Sequence, residues 1–277
     1  MDKMRKLRVL QSMAFAAAMM FAAGTTVSAA EKVVVEGSTT VLPIAQKAAE
    51  AFMDVHSDID VSVRGGGSGV GIASLLDGSC DIADSSRAMK DTEYDKAAAK
   101  NKDPKAFVVA MDGIVIVVNN SNGISELSRK QVKDIYTGAV SDWSAVGGQA
   151  GKIVVVSRDS SSGTFEAFGE LVLKGAKVRP DALMQASNQA IASIVAKTPG
   201  AIGYVGLGYI TDSVKALKID GIVPGKDTVL SGKYPVSRPL FMYTNGNPKG
   251  AVKGFIEFVT GPEGQQIVDE EGFVALK

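Results

Sequence analysis

Three stretches of this 277-residue chain combine glycine with hydroxyl side chains in a pattern that suits an oxyanion. They are Gly37-Ser38-Thr39-Thr40-Val41, Gly65-Gly66-Gly67-Ser68-Gly69 and Arg158-Asp159-Ser160-Ser161-Ser162-Gly163-Thr164. Each follows a β-branched run and opens a helical pattern. The hydroxyls therefore fall where a helix leaves its first backbone N–H groups unpaired. The positive end of the helix dipole adds to the attraction for negative charge. Glycine lets a backbone approach a ligand with no Cβ in the way. Ordinary capping explains any one such loop as well. A common anion site needs the three loops to meet in space, and Arg158 would then add a formal charge.

Equipment for transforming an anion is sparse. A Walker loop needs Gly-Lys-Ser/Thr, but Gly71 is followed by Ile72-Ala73. The dinucleotide pattern fails because Ile72 stands where a glycine is required. A nucleophile elbow around Ser68 fails at Val70. His56 is the only histidine and Cys80 the only cysteine. That leaves no His-rich zinc set, no triad and no internal disulfide. His56 reads as an exposed helix-end residue and Cys80 as a small packing residue. The expectation is a binding protein and no enzyme, with no metal and no cofactor. The competing enzyme reading, a secreted phosphatase or esterase using a serine such as Ser162, lacks a general base or metal cluster.

The elements that would position these loops alternate. Val33–Val35, Ile59–Val63, Phe107–Val109, Ile114–Val118 and Ile153–Val156 read as strands. Val41, Ile44, Ala45, Ala48 and Phe52 mark one amphipathic helix. Val252, Phe255, Ile256 and Val259 mark another, with Gly261-Pro262 as its stop. Such alternation predicts an α/β protein with mainly parallel sheets. With no Pro- or Ser-rich linker, two lobes would be joined by ordered crossover strands near Asp112–Val118 and Arg238–Tyr243. Trp143 is expected in a core, because an indole has no apolar ligand face to cover here.

The first thirty residues read as a secretory signal peptide: Lys3, Arg5, Lys6 and Arg8, then an apolar run from Met13 to Ala23, then Val27-Ser28-Ala29-Ala30. The run is shorter than the roughly 20 residues a membrane span needs. Cleavage is expected after Ala29 or Ala30, with no cysteine placed for a lipid anchor. The chain holds 30 Lys and Arg against 30 Asp and Glu, so the part beyond the leader is slightly acidic. That balance argues against nucleic acid or an anionic membrane as partner. Anion capture must then be a local affair.

The three loops, together with Asp81-Ile82-Ala83-Asp84-Ser85-Ser86-Arg87, Met111-Asp112-Gly113-Ile114, Ala201 to Tyr209, Arg238-Pro239-Leu240 and Gly261-Pro262-Glu263-Gly264-Gln265, resemble the phosphate-binding proteins of bacterial ABC importers, the PstS family. The resemblance runs in order through nearly all of the chain past the leader. It implies the type II periplasmic-binding-protein arrangement: two α/β lobes joined by crossover strands, with the ligand cleft between them. Residues 31–114 plus 238–277 would form the first lobe and 115–237 the second, together one domain. It also implies a periplasmic location, delivery of inorganic phosphate to the importer's membrane permease subunits, and a monomer. Another tetrahedral oxyanion, or service as the sensing subunit of a receptor, fits the same site.

Family binding residues map onto Ser38, Thr39, Thr40 and Val41, onto Ser68, and onto Arg158, Ser162, Gly163 and Thr164. One departure stands out. Where the family's best-known form has an aspartate that accepts the phosphate proton, this chain has Ser86, followed by Arg87. Asp112 is the expected replacement acceptor, with a strand-end hydrogen bond as its alternative use; Asp84 and Asp159 are weaker candidates. Arg87 either contacts the anion or pairs with a nearby carboxylate.

Overall fold

The computed structural model describes residues 30–276; the expected leader, Ala30 apart, lies outside them. The strands are β1 (Glu31–Gly37), β2 (Ile59–Gly65), β3 (Ile82–Ser85), β4 (Pro104–Asn119), β5 (Glu126–Leu127), β6 (Val154–Arg158), β7 (Leu183–Gln185), β8 (Ala201–Gly206), β9 (Val214–Ala216), β10 (Lys218–Ile219) and β11 (Ser237–Asn245). The α-helices are α1 (Leu42–Val55), α2 (Ser68–Asp77), α3 (Asp91–Ala99), α4 (Arg129–Thr137), α5 (Gly163–Phe168), α6 (Asn188–Lys197), α7 (Lys226–Leu230), α8 (Gly250–Thr260) and α9 (Pro262–Glu270). Gly261 ends α8 as the sequence suggests, but Pro262 opens α9 at once. Proline lacks only an N–H that the first helical turn leaves unpaired anyway.

The main sheet runs β2-β1-β3-β11-β4-β8-β6-β7, with β9 also on β4. The pairs β1–β2, β1–β3, β6–β8 and β6–β7 are parallel, whereas β11–β3, β11–β4, β4–β8 and β4–β9 are antiparallel. The sheet is therefore mixed, where the alternation predicted mainly parallel pairing. The antiparallel members are the strands that carry the chain across the middle of the sheet and back. The two runs read separately as Phe107–Val109 and Ile114–Val118 are one strand, β4. Its first part, Pro104–Gly113, pairs with β11, and its second, Ile114–Val118, pairs with β8. The change of partner falls at Asp112-Gly113-Ile114.

Burial divides along the same line. One core packs Val33, Val35, Ile44, Phe52, Leu240, Met242 and Phe255 between the sheet and α1 and α8. A smaller cluster on the opposite face joins Ile72, Leu75 and Ala83, with Cys80 buried in it. The third core gathers Ile114 to Val118, Tyr136, Trp143, Phe168, Ile191 and Tyr204. Trp143 is buried there, its Nε1 donating to the Gly200 carbonyl at 3.1 Å.

This third core holds the end of β6 in place. The Phe168 and Tyr204 rings stack at 4.1 Å between centroids. The Tyr204 hydroxyl accepts the Arg158 backbone N–H at 3.1 Å and shares a hydrogen bond with Ser157 Oγ at 2.9 Å. Phe168→Ala removes the stacking partner and opens a cavity, and should cost about 3–5 kcal/mol. Urea denaturation monitored by circular dichroism checks this; an unchanged midpoint would show that the stack contributes nothing.

Candidate functional site

The three loops meet. β1 ends at Gly37, whose positive φ of 145° and near contact with the Asp84 carbonyl exclude a side chain. The Ser38 N–H donates to that carbonyl at 2.9 Å, and Ser38 Oγ accepts the Thr40 N–H at 3.1 Å. Ser38, Thr39, Thr40 and Val41 are all buried. Ser68 opens α2, and its Oγ accepts the Ser86 N–H at 3.0 Å and lies 3.3 Å from Ser86 Oγ. Ser162 caps α5, accepting the Phe165 N–H at 3.2 Å. Thr164 Oγ1 then reaches Thr40 Oγ1 at 3.0 Å.

The glycines serve this meeting. A Cβ on Gly163 would lie 2.3 Å from Ser68 Oγ and 2.8 Å from Ser86 Oγ. One on Gly67, whose φ is +101°, would lie 2.7 Å from the Ser161 carbonyl oxygen. The Gly69 N–H donates to that same carbonyl at 2.9 Å. The glycine-rich loop thus makes room for the opposing loop, a role the sequence reading assigned to the ligand.

Two arginines lie buried here. Arg158 ends β6 at 1% exposure. Its Nε donates to the Gln185 carbonyl at 3.2 Å and its Nη2 to the Ala186 carbonyl at 2.9 Å. Its Nη1 has no hydrogen-bond partner among the described residues. Burial depresses its pKa below the ordinary guanidinium range, and the Arg238 charge pushes the same way. Arg238, on β11, donates through Nε and Nη2 to Asp112 Oδ2 at 3.1 and 2.9 Å. Its Nη1 donates to the Ser86 carbonyl at 2.9 Å, and Nη2 also to Thr164 Oγ1 at 3.0 Å. Burial raises Asp112 while Arg238 opposes that rise. Two guanidinium charges against the one Asp112 carboxylate leave an excess positive charge sealed from water, an arrangement that calls for an anion.

Asn188, opening α6, completes the net. Its Nδ2 donates to Thr39 Oγ1 and Thr40 Oγ1, each at 3.1 Å, while its Oδ1 accepts the Gly206 N–H at 3.1 Å. Thr40 Oγ1 accepts from Asn188 and, at 3.4 Å, from Arg238 Nη2, and Thr164 Oγ1 accepts from Arg238, so the proton between the two threonines takes the last lone pair. One proton bridges the two oxygens, which leaves the other O–H free to donate outward.

Two expected residues have other work. The Arg87 guanidinium is held by Glu93 through Nη1 and Nη2, both at 2.8 Å, by the Ala88 carbonyl, and by Glu166 at Nε. Four of its five N–H groups face these partners, so of its two anticipated uses the structure shows the pairing. Asp112 Oδ1 accepts the Leu207 N–H at 2.9 Å and Oδ2 is taken by Arg238, which is the strand-end hydrogen bonding named as its alternative use. Asp159 accepts the N–H and hydroxyl of Ser161, which folds its own loop. Asn188 and Arg238 were not anticipated as site residues. An arginine within the otherwise apolar run of β11 was the available signal for the second; Asn188 looks like any helix-start residue.

A domain model described as a PBP superfamily domain matches residues 23–263. The phosphate-binding protein PstS of Bacillus subtilis is 34% identical over 247 residues, covering 87% of this chain and 80% of its own. That of Borreliella burgdorferi is 32% identical over 260 residues, covering 89% and 91%. A Clostridium perfringens protein whose crystal structure holds bound phosphate superposes with a TM-score of 0.84 at 34% identity, over 89% of this chain and all of the other. An ABC-type phosphate transport receptor from Vibrio cholerae gives 0.73 at 33% identity, over 88% of this chain and 100% of the other.

Asp84, two residues before Ser86, is fully buried with neither carboxylate oxygen bonded among the described residues. Burial alone pushes it well above the usual carboxylate range. The folded protein therefore keeps this proton to a higher pH than the unfolded chain. The corresponding stability is full below the unfolded value, about 3.9, and is lost as pH rises toward the folded value. Asp84→Asn cannot titrate, so its stability relative to the native protein should increase between pH 4 and pH 8. Urea unfolding at several pH values measures this, and a pH-independent difference would mean that the carboxyl is ionised and partnered in solution.

Proposed function

The chain belongs to the PstS family of phosphate-binding proteins, and from that premise we propose that its buried cluster captures inorganic phosphate between two closing lobes and delivers it to the permease subunits of an ABC importer. The observation that carries the reading is the unpartnered Arg158 Nη1, buried beside loops rich in donors. Arg158 makes the charged contact. Ser38, Thr39, Thr40, Val41, Ser162, Gly163 and Thr164 supply backbone and hydroxyl donors from two helix starts. Ser68 and Ser86 add hydroxyls that can donate or accept. The first lobe comprises residues 31–114 and 238–277, the second 115–237, and the two close about the crossover.

Arg238 organises the site by holding Ser86, Thr40 and Thr164 in register with Asp112. Phosphate differs from sulfate in carrying a proton at neutral pH, and a site that selects it needs an acceptor. Asp112 is engaged by Arg238 and Leu207, and the Ser86 hydroxyl stands where the family's best-known form has its aspartate, able to accept that proton by turning its own hydrogen away. The signal peptide read in the first thirty residues directs the protein to the periplasm, where it works as a monomer. No helix among the described residues is long and apolar enough to cross a membrane. The relatives are binding proteins, and this chain binds phosphate without transforming it.

Isothermal titration of the protein, stripped of bound phosphate, with phosphate, arsenate, molybdate and sulfate tests the reading. Phosphate should bind tightest. Arg158→Ala should weaken it about 10- to 100-fold, the range expected for a lost charged hydrogen bond. Asp112→Asn should weaken phosphate and sulfate together by unpairing Arg238. A loss confined to phosphate would instead make Asp112 the proton acceptor. Sulfate binding as tightly as phosphate would refute the assignment.

A further inference from the structure

We propose that Glu166 is an inter-lobe clasp that governs how long the captured anion stays, acting through Arg87 and Lys90. The inference rests on the phosphate-capture reading above. Glu166 lies in the first turn of α5, two residues beyond Thr164. Its Oε1 meets Lys90 Nζ at 2.9 Å and its Oε2 meets Arg87 Nε. Arg87 and Lys90 follow β3 on the other side of the cleft, next to Ser86. The clasp therefore joins the two turns that present Ser86 and Thr164.

Arg87 is preset for this contact. Glu93, in α3 of its own lobe, grips Nη1 and Nη2 at 2.8 Å each and leaves the Nε edge to the ion pair with Glu166. Arg87, Glu93 and Glu166 are 9, 14 and 19% exposed, so the guanidinium is already largely desolvated within its own lobe. Closure then adds an opposite charge without ordering a free side chain. A surface cavity of about 1020 Å³ lined by Arg87, Lys90, Glu166 and Lys174 lies beside the cluster, so salt can reach it. The pair Arg87–Glu93 persists whether the lobes are open or shut, whereas the contacts of Glu166 exist only when they are shut. A contact specific to the closed state slows opening, and opening must precede release.

The sign of the effect separates this from simple electrostatics. Glu166 is a negative charge near an anion site, and on charge alone its removal should tighten phosphate binding. The clasp demands the reverse. In Glu166→Gln, release of radiolabelled phosphate into excess unlabelled phosphate should accelerate about tenfold, equivalent to about 1.4 kcal/mol. The midpoint of thermal unfolding of the phosphate-free protein should stay unchanged. High salt should speed release from the native protein more than from the variant. Lys90→Gln, at a half-exposed position that puts folding at little risk, should accelerate release in the same direction by a smaller factor. Unchanged or slower release in both variants overturns the clasp. So does an equal loss of stability in the phosphate-free protein, which would make the cluster a permanent structural bond. Failure of the native protein to bind phosphate would instead overturn the reading on which the clasp rests.

Discussion

The ion pair between Arg238 and Asp112 organises this molecule. It sits where β4 exchanges β11 for β8, and strand register sets the two residues opposite one another. Removing either partner of such a buried pair strands the other charge and costs about 3–5 kcal/mol. The pair is therefore tolerable only while the crossover keeps its register. Once fixed, the remaining donors of Arg238 reach the Ser86 carbonyl and Thr164 Oγ1, which belong to loops 78 positions apart in the chain. One side chain thus reads both the register of the sheet and the closure of the loops.

Closure depends equally on an absence of atoms. Gly163 lies against Ser68 and Ser86, and Gly67 against Ser161, at distances no Cβ could occupy. Hydroxyl groups fill the space that remains, and their versatility as donors and acceptors lets Asn188 and Arg238 direct them. The outcome is a sealed cluster in which formal positive charge exceeds negative, although the chain as a whole has equal numbers of acidic and basic residues. Affinity for an anion here is a property of local desolvated charge and owes nothing to the overall field.

The alternation of elements and the three donor-rich helix starts were legible along the chain, because each is written in local spacing. Period-two and helical apolar patterns mark the strands and helices, and Gly-Ser-Thr runs mark the turns between them. The antiparallel share of the sheet was not legible, since strand direction follows from where the chain must travel next. Arg87 and Asp112 were ambiguous for a related reason. Their side chains suit an anion or a counter-charge equally, and only the positions of Glu93, Glu166 and Arg238 decide between these uses. Those partners are separated from them by between 6 and 126 positions.

By itself, then, the sequence determined the chemistry available to this protein: oxyanion-seeking turns with one arginine beside them. Tertiary structure decided which groups meet. It made a glycine run serve the approach of an opposing loop, added Asn188 and Arg238 to the cluster, and drew Arg87 to Glu166. The physical reason is that donor capacity belongs to a residue type, whereas desolvation and pairing depend on distance between parts of the chain that folding alone brings together.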